Sequence, residues 1–181
     1  LFDYALSTIS STLNMNSITE DIPDGFQDYY DKDKYAKSQS YLKDKTRFGL
    51  FTGTFSLCIT LVIIHAGLFG LLDDFVRAYS NHYITSGLLF FGTLFILNDI
   101  VNLPFSIYGT FVIEEKYGFN KTTWKTYVSD KFKGYGLTIV LGSAVMVPLL
   151  YFFEAYGSNG WWIAWALITG FMIAIQPLFV H

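Results

Sequence analysis

A single carboxylate lies inside one of the long apolar stretches of this 181-residue sequence. Asp99 follows a run of uncharged residues, with Asn98 beside it and Asn102 one helical turn away from Asn98. Ionisable side chains in such a stretch face the interior of a helix bundle or a water-filled cavity rather than lipid. Two interpretations stay open: the three residues line an aqueous interior, or they form hydrogen bonds between helices around Pro104.

A second polar group follows the same stretch. Ile113 is followed closely by Glu114, Glu115, Lys116, Gly118 and Asn120. Paired carboxylates can perform acid–base chemistry, but beside Lys116 at the end of an apolar helix a structural ion pair is favoured. We expect a helix that leaves a membrane here, a tight turn at Gly118, and a new helix over 122–132 that is capped near Asn120 or Thr122.

The composition indicates which elements position these residues. The chain is 52% hydrophobic and only 15% charged, whereas a soluble domain is about 25% charged. A helix needs about 20 apolar residues to cross the hydrocarbon core, and four uncharged runs reach that length: 48–72, 78–98, 134–153 and 155–181. The predicted fold class is therefore all-α, a polytopic transmembrane helical bundle with four full spans. We place these spans at about 48–72, 83–113 with a kink at Pro104, 134–153 and 161–181. The charged and polar residues between the first two spans are predicted to form a short loop that contains Asp73, Asp74, Arg77, Asn81 and His82.

The segments before the first span are predicted to lie outside the bundle of residues 48–181. Residues 14–47 are predicted to be a cytoplasmic loop followed by a basic amphipathic helix, which either binds anionic lipid or simply extends the next span. Residues 1–13 have a helical apolar stripe. A short amphipathic surface helix would have such a stripe.

The distribution of positive charge predicts the orientation. Of the twelve lysine and arginine residues, six lie in 32–47 and five in 116–133, and Arg77 is the remaining one. Because successive spans alternate sides, the two lysine-rich segments fall on one side of the membrane. The positive-inside rule then predicts that both are cytoplasmic.

Two sequence blocks resemble a known family. The block from Thr110 to Thr122, TFVIEEKYGFNKT, is similar to the central signature of the membrane domain of CAAX prenyl endopeptidases, which are integral-membrane zinc metalloproteases. Tyr35–Tyr41, YAKSQSY, resembles a second block of the same family. The resemblance extends from about Asp28 to His181. In that family a spanning helix precedes this region, so the resemblance implies that residues 1–13 are the end of a truncated first membrane helix, and the short amphipathic surface helix stays open beside it.

The resemblance implies an active zinc metalloendopeptidase only for an intact protein. Such an enzyme needs His-Glu-x-x-His on a helix, and none of His65, His82 or His181 begins that motif. We therefore expect a fragment without a catalytic residue, metal ligand or cofactor of its own, the family's zinc motif lying further along the protein. By the resemblance, 98–104 would face a water-filled chamber and 114–123 would dock the zinc protease domain.

Two further functions compete with this one. The chain is a non-enzymatic transporter subunit or scaffold with Asp99 on a solute path, or a self-contained membrane enzyme that uses Asp99 and the asparagines. A His-Glu-x-x-His some 100 residues after His181 would favour the protease, and a stop codon the others. The expected partners are the lipid bilayer, the protease domain and a peptide or protein substrate, with no nucleic acid. The expected location is a cell inner membrane or an endoplasmic-reticulum-type membrane.

Overall fold

The computed structural model describes residues 1–179, which are built from helices. The α-helices of this part of the chain are α1 (Phe2–Asn16), α2 (Lys32–His65), α3 (Leu68–Tyr79), α4 (Tyr83–Tyr108), α5 (Trp124–Tyr156) and α6 (Gly160–Phe179). A π-helix over Gly109–Glu114 continues α4, and a 3-10 turn over Gly157–Asn159 joins α5 to α6. The predicted all-α class is confirmed.

Three helical stretches among the described residues are long and apolar enough to cross a bilayer. They are Lys32–His65, Tyr83–Glu114 and Trp124–Ala166, and at most 6% of each apolar window is buried within the chain. Helices with so much exposed apolar surface need hydrocarbon around them, because in water this surface would drive association. The span predicted over 161–181 falls on α6, and its last two residues lie outside the described part.

The basic segment and the first span form a single helix. Asp31 caps α2, since its Oδ1 accepts a hydrogen bond from the backbone N–H of Lys34 at 3.0 Å. The helix then continues through the uncharged residues from Phe48 to His65. The basic segment thus extends the span as one continuous helix, and its binding of anionic lipid stays a prediction.

The predicted span over 48–72 is interrupted, which corrects its boundary. The helix α2 ends at His65, and Gly67 adopts φ +65° before α3 begins. This left-handed backbone favours glycine and ends helices readily. The apolar run hides the break, because Leu68 to Leu72 continue the same uncharged composition in the next helix.

The segment with Asp73, Asp74 and Arg77 was expected to be a loop, and this was wrong. It belongs to α3, where Arg77 donates to Asp73 at 2.8 Å across one helical turn. The three charged residues occupy one face of α3, and leucine, phenylalanine and tyrosine side chains occupy the other. Such a pattern is typical of helices that lie along a membrane surface.

The chain divides into two compact units. The first contains residues 1–69 and 96–126. Within it α1 packs on α2, where the hydroxyl groups of Tyr4 and Thr54 are 2.5 Å apart. The ring of Phe105 lies among three phenylalanines of α2, with centroid distances of 6.4, 6.0 and 4.9 Å to Phe48, Phe51 and Phe55. This aromatic contact joins the Pro104 region of α4 to α2.

The second unit contains residues 70–95 and those from 127 onward. Its tightest approach is at Gly87 of α4, where an added Cβ would lie 2.8 Å from both methyl carbons of Leu150. Small residues allow membrane helices to approach this closely. In the same unit Ser86, which is buried, donates its hydroxyl to the backbone carbonyl of Ser80 at 2.5 Å.

Candidate functional site

The candidate site is the exit loop, which we define as residues 114–123, from the last residue of the π-helix to the residue before α5. The chain reverses at Gly118, whose φ is +68°, and the N–H groups of Gly118 and Phe119 donate to the carbonyls of Glu115 and Glu114, each at 2.9 Å. The expected turn at Gly118 is confirmed. A β-carbon would be strained at this backbone conformation.

The C-terminal part of the exit loop is stabilised by hydrogen bonds of its own side chains. The Asn120 amide donates to the Glu115 carboxylate at 2.9 Å, and its Oδ1 accepts from the N–H of Thr122 at 2.7 Å. The helix α5 begins at Trp124 rather than at Thr122, and Thr123 Oγ1 accepts from the N–H of Thr126 at 3.2 Å. Thr123 is therefore the cap. The predicted helix over 122–132 is the first part of α5, which continues without a break into the next span.

Asp44 of α2 fastens the exit loop from a distance of more than 70 residues in sequence. Its Oδ2 accepts from Lys116 Nζ at 2.6 Å and from the Tyr117 hydroxyl at 2.7 Å. Asp44 lies one turn before the uncharged part of α2, and Lys116 follows the last π-helical residue by two positions. The carboxylate therefore joins two helices at the level where both leave their apolar segments.

Aromatic rings cover the same junction. The Tyr41 ring lies edge-on to Tyr117 and to Phe119, at centroid distances of 5.4 and 4.8 Å. Lys37 Nζ lies 5.6 Å from the Phe119 centroid, close enough for a cation–π interaction. Tyr117 is only 7% exposed, whereas Phe119 is 48% exposed. The first ring is thus a packing residue of the exit loop, and the second presents an outward surface.

The charges of this junction stabilise one another. The hydrogen bond from Lys116, and next the one from Tyr117, lower the pKa of Asp44 below its usual value. The hydrogen bond to Asp44 raises the pKa of Lys116, and burial, followed by the bond to Asp44, raises the pKa of Tyr117. The arrangement favours an ionised Asp44 and Lys116 with a neutral Tyr117.

These shifts predict how the exit loop responds to pH. Because the Asp44 pKa is lower in the folded chain, its stabilising effect is complete above the unfolded carboxyl pKa of about 3.9 and is lost as pH falls through the lowered value. The raised pKa values of Lys116 and Tyr117 act in the opposite sense. Their contribution is complete below about pH 10 and is lost as pH rises through the folded values.

We therefore expect hydrogen-exchange protection of residues 116–120 to be constant near neutral pH and to fall only in strong acid and strong alkali. Exchange measured against pH, with intrinsic rates divided out, tests this expectation. The Asp44→Asn variant supplies the control, since it should show lower protection at pH 7 and no further loss in acid. Protection that falls between pH 5 and 8 in the unaltered protein would contradict the assignment.

The group around Asp99 lies on α4, in the first unit. Asn102 donates its amide to the Asn98 backbone carbonyl at 2.7 Å and to the Asn98 side-chain oxygen at 3.1 Å. Asn98 and Asn102 are exposed and Asp99 is half-buried. The two asparagines are thus brought together, and their remaining amide and carbonyl capacity faces outward from this chain.

The sequence analysis identified Lys116 in the exit-loop junction but not its partner Asp44. Lys116 is part of an ion pair, as expected at this exit, but its partner is Asp44 rather than Glu114 or Glu115. The Glu115 carboxylate instead accepts from Asn120, and the Glu114 carbonyl accepts from Phe119. A weak signal for Asp44 existed, since it is the last acidic residue before the uncharged run.

These helices and their fastened exit loop define the class of the protein, a multi-pass helical membrane domain. Comparison with known proteins then identifies the family. Residues 12–180 match a family model described as the CAAX prenyl protease N-terminal region with five membrane helices. The chain belongs to the CAAX prenyl protease family, as its N-terminal membrane domain.

Individual relatives agree with this assignment. The chain is 34% identical over 164 residues to the probable CAAX prenyl protease 1 of Schizosaccharomyces pombe, covering 83% of this chain and 35% of that protein. It is 30% identical over 167 residues to the CAAX prenyl protease 1 of Saccharomyces cerevisiae, covering 87% and 36%. The crystal structure of S. mikatae Ste24p superposes with a TM-score of 0.80 at 27% identity, covering 98% of this chain and 44% of that one. The chain thus spans little more than a third of the length of these curated relatives.

Proposed function

We propose that this chain is the membrane-embedded part of a CAAX-type zinc metalloendopeptidase that cleaves prenylated or membrane-associated proteins. In this proposal the exit loop docks the catalytic domain, and Asn98, Asp99 and Asn102 face an intramembrane chamber. The observation that supports docking most directly is the fastening of the exit loop to α2 by Asp44. Because Asp44 holds the exit loop against α2, the loop offers a surface of fixed conformation. A loop without this contact would lose conformational entropy on docking.

The residues of the described chain do not fit a zinc site. Among them, no group of three or more histidine, cysteine, aspartate or glutamate side chains lies close enough together to hold a metal ion. A structural zinc needs four protein ligands and a catalytic zinc commonly three. We therefore assign zinc binding to the part of the protease beyond the segment that this chain matches, and give this chain the tasks of anchoring and positioning.

The proposal places the lysine-rich segments 32–47 and 116–133 in the cytoplasm, on the side where the exit loop would meet the catalytic domain. Eleven of the twelve lysine and arginine residues support this orientation. The same arrangement places the short connection between α3 and α4, which contains Asn81, on the opposite side.

Cysteine crosslinking in the full-length protease tests the docking role. In a Cys58→Ser background, Glu115→Cys should crosslink to cysteines introduced in the catalytic domain, because Glu115 is exposed on the exit loop. Asn81→Cys is the matched control and should give no crosslink. Crosslinks from neither position with reagents of several lengths would refute docking while leaving the family assignment intact.

The chamber role has a separate test. We expect Asp99→Leu to reduce cleavage of a prenylated reporter peptide at least about tenfold in protein that elutes normally on size exclusion. Asp99→Asn, which keeps the hydrogen-bonding shape, should lose less. Full activity of a correctly folded Asp99→Leu protein would remove Asp99 from the chamber.

A further inference from the structure

A cleft opens in the first unit between α2 and the junction of α4 with the π-helix. Its volume is about 520 Å³, which lies within the range of about 300–1,000 Å³ typical of small-molecule sites. One wall is aromatic and aliphatic, formed by Phe48, Phe51, Tyr108 and Val112. The rings of Phe48 and Tyr108 are in contact, with centroids 5.0 Å apart, so this wall is continuous across both helices.

The other end of the cleft is cationic. Arg47 and Lys116 line it together with Asp44. Lys116 and Tyr117 already donate to the Asp44 carboxylate, so the lysine charge is balanced. Arg47 is exposed, and the described residues provide no carboxylate in ion-pair contact with it. Asp44 also attracts Arg47 electrostatically without an ion-pair contact, so two cations and one carboxylate leave one net positive charge at the polar end of an apolar cleft.

The position of the cleft along both helices matches the layers of a membrane. Arg47 is the last charged residue before the uncharged part of α2, and Lys116 is the first cation after the uncharged run that ends at Ile113. The apolar wall begins at the next residue of α2, Phe48, and one turn before Lys116 in the π-helix, at Val112. The cationic end thus lies at headgroup depth, and the apolar wall continues toward the depth of the acyl chains.

We propose that this cleft binds one anionic phospholipid. The phosphate would accept hydrogen bonds from the Arg47 guanidinium, whose forked donors suit phosphate oxygens, with Lys116 at the rim. One acyl chain would lie along Phe48, Phe51, Tyr108 and Val112. An anionic lipid has a net negative charge that balances the excess positive charge of the site, and a zwitterionic lipid has none, so the anionic headgroup is preferred. The bound lipid would bridge the two helices that Asp44 also joins.

Native mass spectrometry of the full-length protease in nanodiscs tests the proposal. In mixed phosphatidylcholine and phosphatidylserine, we expect the ejected protein to retain one phosphatidylserine. Arg47→Gln should lower this occupancy at least about tenfold, the effect of losing one charge-assisted hydrogen bond. Lys43→Gln is the matched control, since Lys43 is an exposed cation one turn earlier on α2 and does not line the cleft. It should leave the occupancy unchanged.

A second measurement locates the lipid independently of any variant. A photoreactive phosphatidylserine should label peptides that contain residues 47–51 and 108–116. Equal retention of both lipids, equal loss in the two variants, or labelling confined to other helices would overturn the proposal. Displacement of the lipid by inorganic phosphate or by a prenylated peptide would also overturn it, because the site would then belong to those ligands. None of these outcomes bears on the docking role of the exit loop.

Discussion

Tyr117→Ala is expected to release the exit loop from α2. The substitution removes a side chain that is only 7% exposed, together with its edge-on contact with Tyr41 and its hydrogen bond to Asp44. Truncation of a buried aromatic residue costs about 3–5 kcal/mol. We therefore expect the free energy of local opening over residues 114–123 to fall by about 3 kcal/mol, measured by native-state hydrogen exchange in detergent.

Two controls separate the contributions to this effect. Tyr117→Phe keeps the ring and loses only the hydroxyl, so it should cost about 1 kcal/mol. Tyr29→Ala removes the same side chain from a site that is 82% exposed, and it should change protection by less than about 0.5 kcal/mol. Unchanged protection in Tyr117→Ala would mean that the exit loop is held by something other than this junction.

The second large effect is expected at Gly87. A leucine there would collide with Leu150, since even a β-carbon would lie 2.8 Å from both of its methyl groups and Leu150 is 7% exposed. Overpacking of this kind costs about 1–3 kcal/mol. We expect Gly87→Leu to lower the thermal transition of the detergent-solubilised protein and to increase its loss to aggregation.

Gly92 offers a matched control on the same helix. An added β-carbon at Gly92 would meet nothing within 4 Å, so Gly92→Leu should be neutral or slightly stabilising. Combining Gly87→Leu with Leu150→Ala should restore much of the lost stability, because the second change makes room for the first. Additive losses in the double variant would show that the two side chains do not meet.

Local patterns in the sequence predicted local structure well. Glycine at position 118, after a helix and before a polar cap, indicated the turn that the backbone adopts, and the uncharged runs indicated the helices. The predictions failed where local composition was misleading. Asp73, Asp74 and Arg77 looked like a loop because they are charged, although their spacing forms one face of α3. The break at Gly67 was missed because the residues on both sides of it are equally apolar.

No local sequence pattern predicted the contact of Asp44 with Lys116 and Tyr117. These residues are 72 and 73 positions apart, and only the packing of α2 against the π-helix brings them together. The aromatic contacts of Tyr41 with Tyr117 and Phe119 are hidden for the same reason. Tyr41 ends one of the two family blocks and Tyr117 lies in the other, so the structure joins two motifs that the sequence presents separately.

The π-helix over Gly109–Glu114 affects the rotational position, about the helix axis, of the residues that follow it. A π-helical turn contains one residue more than an α-helical turn, and each residue of an α-helix rotates the next by about 100°. Deleting one residue here would leave hydropathy and charge almost unchanged. The turn that remains would be α-helical, so Lys116 and Tyr117 would still face Asp44, whereas deleting a residue from the α-helical part of α4 would rotate both of them by about 100°. The wide turn thus accommodates one residue without changing the angular setting of the chain as it emerges from the membrane.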